Sequence, residues 1–147
     1  MSEIFEFPKL KKFSSRPKNN GDIPYITCIS FNQGVDCYIT TNHKINNVIY
    51  ISTNGSSFNC FYHDDYITIS SDVEIIHSNL MNKFSGKFIC TILNLEQKKW
   101  GYGRKSKNHS MNNTIIKLPA KKNNDKWEPD WEYMENYIKS LPLSYKL

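Results

Sequence analysis

Six short segments rich in β-branched and aromatic residues follow one another between residues 23 and 76, and they constrain the fold more than any other feature. Asn, Gly, Asp and Ser separate them, which are residue types that favour turns. Because such short connections join neighbouring strands of opposite direction, we expect antiparallel hairpins. The predicted strands are Ile23–Phe31, Val35–Thr41, Val48–Thr53, Asn59–Tyr62, Tyr66–Ser70 and Val73–Ile76.

The apolar pattern then changes from a strand period to a helical one. Apolar residues recur every three or four positions, which predicts a core helix with one buried face. That face is predicted to comprise Leu80, Phe84, Phe88, Ile92 and Leu95. We expect Asn79 to cap the helix and Gly86 to allow close packing on the sheet.

A second helix is predicted near the end of the chain. Asp130 is a suitable N-cap, Pro142 a suitable stop, and the apolar side chains between them share one face. That face comprises Trp131, Met134, Ile138 and Leu141. The segment "NTIIKLP", residues 113–119, is predicted to be a last strand.

These patterns predict an α+β fold of mostly antiparallel short strands and hairpins, packed with a central core helix and a C-terminal helix. We expect an N-terminal arm over residues 1–22, a single domain over 23–141 and a short tail over 142–147. With 147 residues, of which 39% are hydrophobic, the chain is long enough for one domain with a core.

Several classes of protein are disfavoured by the sequence. The chain has no apolar run of membrane-spanning length and no apolar leader, so we expect a cytoplasmic protein that does not bind a membrane. Cys28, Cys37, Cys60 and Cys90 form no CxxC pair, which predicts free thiols rather than a zinc site or a disulfide framework.

No catalytic motif is found. Pro129-Asp130 lacks the following (D/E)xK of a metal-dependent nuclease, and Asp130 is better explained as a helix cap. His63, Asp64 and Asp65 are consecutive, so their side chains would point to different sides of a strand, and a turn is the preferred interpretation. There is no phosphate-binding glycine loop. We therefore predict no catalytic residue, no metal and no cofactor.

The positive charge is concentrated. Residues 98–126 carry a net charge of +8 and residues 1–21 carry +3, whereas 22–97 carry −4 and 127–147 carry −2. A concentrated basic stripe is typical of a surface that binds a phosphate backbone. A solvated lysine-rich loop would account for the charge equally well.

A resemblance adds to this pattern. "GDIPYI" at residues 21–26, "YGRK" at 102–105, and "IKLP" followed by "PDWEYMENYIK" at 129–139 are similar to a target recognition domain of restriction-modification systems. Such domains are the DNA-reading modules of type I specificity subunits and of related type IIB and IIG proteins. The similarity runs from about Gly21 to Lys139 and so covers most of the chain.

The resemblance implies a module that reads one half of a split double-stranded DNA target for a DNA methyltransferase subunit and, for cleavage, a restriction subunit. Phosphate contacts are expected from the glycine-spaced basic segment, whose candidates are Lys98, Lys99, Tyr102, Arg104, Lys105 and Lys107. Base reading is expected from polar side chains on loops. Its candidates are Asn32, Gln33, Lys44, Asn54 and Ser56, for each of which a plain turn role is the alternative.

Other interpretations of the sequence stay open. A full type I specificity subunit resembles two such domains joined by helical spacers, whereas this sequence holds one, which favours a half-subunit, a degenerate copy or a recombining cassette. An orphan DNA-binding module without modification activity is a further alternative. A small nucleic-acid-processing enzyme with an unrecognised site is another.

Overall fold

The computed structural model describes residues 1–18, 20–54, 59–97 and 111–147. The strands are β1 (Ile23–Ile26), β2 (Val35–Ile39), β3 (Val48–Ser52), β4 (Cys60–His63), β5 (Thr68–Ile69), β6 (Val73–Ile76), β7 (Ala120–Asn123) and β8 (Lys126–Pro129). The helices considered below are α1 (Lys83–Glu96) and α2 (Trp131–Ser140). Neither of these two helices has the length and apolar character needed to cross a membrane.

Two three-stranded sheets contain the first six strands. One has the order β2-β1-β5, in which β1 pairs antiparallel with β2 and parallel with β5. The other has the order β4-β3-β6 and is antiparallel throughout. All six predicted strands are therefore present, although the first ends at Ile26 rather than at Phe31. The α+β prediction is confirmed.

β3 is the central strand of the sheet β4-β3-β6, and all five of its residues are buried. Ile49 and Ile51 belong to the apolar cluster that includes α1 and α2 side chains. Val48 and Tyr50 belong to a second cluster, with Ile26 of β1 and residues of β5 and β6. Because successive strand residues face opposite sides, the sheet β4-β3-β6 is a middle layer between the helices and the other sheet.

Helix α1 begins three residues later than predicted. Asn82, not Asn79, is the N-cap: its Oδ1 accepts from the backbone N–H groups of Phe84 at 3.0 Å and Ser85 at 3.1 Å. The Ser85 hydroxyl accepts in return from the Asn82 N–H at 2.9 Å, which completes a capping box. Together these bonds satisfy three backbone N–H donors at the start of the helix that the helix itself leaves unbonded.

The predicted apolar face of α1 is wrong. The buried residues of the helix are Ser85, Gly86, Ile89, Cys90 and Leu93, whereas Leu80 and Leu95 are 66% and 67% exposed. Small residues let the helix approach β4 so closely that a Cβ added to Gly86 would lie 2.4 Å from the Tyr62 ring. The close packing expected at Gly86 is confirmed. Phe88 instead contacts α2, where its ring meets Tyr137 edge-on at 5.5 Å.

Helix α2 follows its prediction. The Asp130 carboxylate accepts from the Tyr133 N–H at 3.0 Å, which confirms Asp130 as the N-cap. Met134 and Ile138 are buried, as predicted, and Trp131 packs at the edge of the same cluster. Leu141 lies just beyond the helix and is 39% exposed, so it is not part of the buried face.

The predicted last strand at 113–119 is absent from the structure, and a hairpin follows it instead. Strands β7 and β8 pair with each other, and residues 120–128 are all exposed. Ile116 and Leu118 pack against the core without pairing to a strand. The strand prediction was wrong because a strand needs a sheet edge with which to pair. The apolar spacing of one segment does not show whether such an edge is available. We call residues Ala120–Pro129 the polar hairpin.

Residues before β1 pack against the body of the domain. Met1 and Phe5 are buried in the helical cluster. Glu6 forms a bridge with His77, and Phe13 forms one with Ser70. The four cysteines have no disulfide partner, as predicted, and burial raises the pKa of the Cys60 and Cys90 thiols.

Candidate nucleic-acid interface

The residues predicted to contact phosphate belong to the basic segment that follows α1 in the sequence. Lys98, Lys99, Tyr102, Arg104, Lys105 and Lys107, together with Ser56, lie outside the described residues. Helix α1 leads directly into this basic segment. Further along, Lys117, Lys121, Lys122 and Lys126 are exposed. Lys122 pairs with Asp125 at 2.8 Å and Lys121 approaches Asp130 at 4.0 Å, so part of the hairpin charge is compensated.

The connection between β1 and β2 carries two of the predicted base-reading residues, and it is fixed along its length. At its start, the Cys28 thiol donates to the Asp72 carbonyl at 2.7 Å. In its middle, the Tyr50 hydroxyl donates to the Ile29 carbonyl at 3.4 Å. Near its end, Nε2 of His63 lies 3.0 Å from the Gln33 carbonyl oxygen. The loop therefore lies across the central sheet rather than projecting freely.

Three consecutive residues of this loop have a left-handed backbone. The φ angles are 47° at Asn32, 51° at Gln33 and 81° at Gly34. We call Asn32–Gly34 the left-handed turn. Residues other than Gly avoid this region, and each such residue stores on the order of 1–3 kcal/mol unless its surroundings impose the conformation. Asn tolerates the region better than Gln does, so Gln33 carries most of the strain.

Tyr50 and Asn32 impose part of this conformation. Gly34 is buried against Tyr50, and a Cβ at Gly34 would lie 2.5 Å from the Tyr50 hydroxyl oxygen and 2.6 Å from Cζ. The Asn32 side-chain amide donates to the Val35 carbonyl at 3.1 Å. The Asn32 side chain therefore contributes to the turn, and its predicted contact with a base stays a prediction.

His63 provides a further contact that holds the left-handed turn. Because a carbonyl oxygen can only accept, Nε2 of His63 carries the proton and donates it to Gln33. Burial lowers the pKa of His63, and the nearby Lys87 ammonium lowers it further, against the opposing effects of the Gln33 carbonyl and Asp65. The lowered pKa favours the neutral imidazole, in which the contact with the Gln33 carbonyl places the proton on Nε2.

The side chains of Phe31 and Gln33, which we call the apex of the turn, are exposed and take no part in these contacts. Phe31 is 69% exposed, and Gln33 is also exposed. Within the described part of the chain, the Gln33 side-chain amide has no hydrogen-bond partner. Neither Phe31 nor His63 was among the residues predicted to contact DNA. Phe31 was assigned to the end of a strand, and the contact of His63 depends on tertiary structure.

The other predicted base-reading residues lie elsewhere. Lys44 precedes β3 and stacks over Tyr66, with its Nζ 4.8 Å from the ring centroid. Asn54 is exposed in the bend after β3, where its backbone contacts the Cys28 thiol. Five residues of strand separate these two connections, roughly 15 Å at the usual rise. The structure therefore does not bring Lys44 and Asn54 into one cluster.

A metal centre receives no support from the described ranges. They contain no group of three or more His, Cys, Asp or Glu side chains placed to hold an ion. Asp64 and Asp65 lie in the bend after β4, as expected for a turn. Asp64 there accepts a hydrogen bond from the Tyr62 hydroxyl at 3.1 Å.

Comparison with known proteins gives consistent results. Residues 1–144 match the family described as "Type I restriction modification DNA specificity domain". Over 142 residues the chain is 31% identical to the type II restriction enzyme BgcI specificity subunit S.BcgI of Heyndrickxia coagulans. This alignment covers 94% of this chain and 41% of that protein.

A solved structure supports the same fold. The S subunit of a type I restriction-modification system from M. genitalium matches with a TM-score of 0.50 and 20% identity, over 67% of this chain and 26% of that one. The chain thus spans less than half the length of either relative. Because the family match extends over nearly all of its residues, the chain belongs to the type I restriction-modification DNA specificity domain family.

Proposed function

We propose that this domain binds double-stranded DNA sequence-specifically and reads one half of a split target for a restriction-modification system. The observation that carries the proposal is the family match over residues 1–144. The concentration of positive charge in residues 98–126 supports it independently, since phosphate contacts supply most of the affinity of such proteins.

The proposed partners are a DNA methyltransferase subunit and a restriction subunit, which would supply the chemistry that this domain lacks. The domain itself is proposed to be non-catalytic and to require no cofactor, and its proposed compartment is the cytoplasm. Co-purification from the native host would test the partners. Recovery of a methyltransferase subunit supports a specificity unit, whereas its consistent absence favours an orphan DNA-binding module.

Phosphate contact is assigned in this proposal to Lys98, Lys99, Tyr102, Arg104, Lys105 and Lys107. The test is the double charge reversal Arg104→Glu/Lys105→Glu, measured by fluorescence anisotropy on labelled duplexes over a range of salt concentrations. Two lost phosphate contacts should weaken binding to all sequences and make the slope of log K against log salt shallower by about 1.8.

A matched control has the same change in net charge. Lys139→Glu/Lys146→Glu alters two cations in the acidic C-terminal segment, where Lys139 is already paired with Glu135 at 2.5 Å. We expect a clearly smaller effect on affinity and slope. Equal effects of the two double variants would show that net charge, and not the basic segment, governs binding.

The alternative of a nucleic-acid-processing enzyme is tested with the same protein. Labelled DNA and RNA are incubated with the full chain and Mg²⁺, without any added protein. We expect no cleavage or modification. Turnover that survives further purification would contradict the non-catalytic assignment.

A further inference from the structure

We propose that the apex of the left-handed turn reads an A·T base pair, with Phe31 packed on the thymine methyl group and Gln33 hydrogen-bonded to adenine. This inference rests on the proposed DNA-binding function and adds to it a contacting residue, Phe31. It also adds a positioning residue, His63. Neither residue lies in the basic segment.

Exposure and chemistry make these two neighbouring side chains suited to base contact. Phe31 is 69% exposed at the point where the loop reverses direction, and Gln33 follows two residues later. A Gln amide can donate to and accept from the adenine edge in the major groove at once, and an apolar side chain can contact the neighbouring thymine methyl. A tight turn also fits a groove about 12 Å wide.

The backbone of the turn is held in one geometry, which suits a base-specific contact with DNA better than a sequence-independent one. Gly34 lies against the Tyr50 ring, and the Gln33 carbonyl accepts from His63. Both contacts come from residues of the middle sheet, β3 and β4. A strained backbone persists where surrounding structure determines it, and such sites are concentrated where function requires a preset geometry. His63 therefore acts through Gln33 and needs no contact of its own with DNA.

Asn32 is assigned a different role from Gln33. Its side-chain amide is bonded to Val35, so it shapes the turn. Of these two neighbouring amides, that of Gln33 has both its donor and its acceptor unbonded within the described residues, so we assign base contact to Gln33.

The test begins with selection of duplexes from a random pool by the full chain. Phe31→Ala should then weaken binding to the most enriched duplex by about tenfold, with little change on a random duplex and no change in salt slope. Tyr145→Ala is the matched control, because Tyr145 is 79% exposed at the other end of the chain. It should leave both affinities unchanged.

A double-mutant cycle identifies the contact. Thymines of the enriched site are replaced one at a time by deoxyuridine, which removes only the methyl group. At one position we expect the wild type to lose affinity severalfold and Phe31→Ala to lose nothing further. Gln33→Ala should remove the preference for adenine at the same base pair.

The positioning role of His63 has its own readout. His63→Leu should lower the ratio of selected to random affinity without changing the random affinity, and His63→Gln, which keeps a donor, should restore part of that ratio. Additive effects of Phe31→Ala and every deoxyuridine substitution would overturn the inference while leaving DNA binding intact. Failure of the wild type to retain any duplex would overturn the proposed function and this inference together.

Discussion

The left-handed turn and the tip of the polar hairpin have the same uncommon backbone conformation, but different contacts hold it. At the hairpin tip, Asn124 and Asp125 have φ angles of 44° and 63°, as a two-residue connection between twisted strands requires. At the left-handed turn, Tyr50 and His63 hold the backbone from distant parts of the sequence. The hairpin tip is thus determined locally, whereas the turn depends on the packed core.

The largest difference between the two regions should appear when an aromatic residue beside each is removed. Tyr50 is fully buried beneath Gly34, whereas Trp127 of the polar hairpin is 73% exposed. Tyr50→Ala should lower the free energy of unfolding by about 3–5 kcal/mol, because it leaves a cavity. Trp127→Ala should change it by less than about 0.5 kcal/mol. Urea denaturation measures both, and similar losses would contradict the comparison.

A Cβ at the left-handed turn should have the next largest effect. Gly34→Ala places a methyl group 2.5 Å from the Tyr50 hydroxyl oxygen and 2.6 Å from its Cζ, and it also disfavours the φ of 81°. We expect a loss of about 2 kcal/mol in the free energy of unfolding. Asp125→Gly is the control in the hairpin, where Gly is a preferred turn residue, and it should be nearly neutral. Tolerance of Ala at position 34 would show that the turn is not packed as described.

Relief of strain should separate stability from recognition. Gln33→Gly should raise the free energy of unfolding by up to about 1 kcal/mol, because Gly adopts a positive φ readily. Asn124→Gly should change it less, since Asn already suits that position. Thermal melting gives the stabilities, and anisotropy on a selected duplex gives the discrimination. A Gln33→Gly variant that is more stable and equally selective would argue against a reading role for this side chain.

The smallest expected effect is on pH dependence. Burial lowers the pKa of His63 in the folded protein below its ordinary value of 6.5, so the unfolded chain binds the proton more readily. The stability linked to His63 is therefore fully present above pH 6.5 and declines as the pH falls through 6.5 towards the lower folded pKa.

His63→Gln should flatten this decline. The measurement is the melting temperature of both proteins between pH 5 and 8, compared as a difference so that other titrating groups cancel. Identical pH profiles would mean that His63 is not buried in its neutral form.

Local chemistry accounts for the parts of the fold that the sequence predicted correctly. Segments rich in β-branched and aromatic residues, separated by Asn, Gly, Asp and Ser, identified β1 to β6, and Asp130 with the apolar spacing after it identified α2. These signals act over a few residues, so they need no knowledge of the tertiary structure.

The incorrect predictions involve long-range packing. Helix α1 contacts both the sheet and α2, so its buried surface is wider than one stripe and includes the small residues Ser85 and Gly86. The spacing of hydrophobic residues does not predict that such small residues are buried. The polar hairpin has few residues with high strand propensity, and its turn residues Asn124 and Asp125 were the available signal.

The same distinction between local signals and long-range packing applies to the residues of the candidate interface. The sequence indicated Asn32 and Gln33 through their residue types, yet it could not show that Asn32 bonds to Val35 and Gln33 remains exposed. Phe31 and His63 became candidates through contacts and exposure alone.

Sequence-selective binding to duplex DNA is the central claim, and selection from a random-sequence duplex pool tests it most directly. The full chain, immobilised at low salt, is offered the pool in the presence of excess single-stranded competitor, and the retained duplexes are sequenced over successive rounds. We expect enrichment of one short motif, with retention that weakens as salt is raised. Retention of no duplex in dilute buffer, or equal retention of all sequences, would contradict the claim.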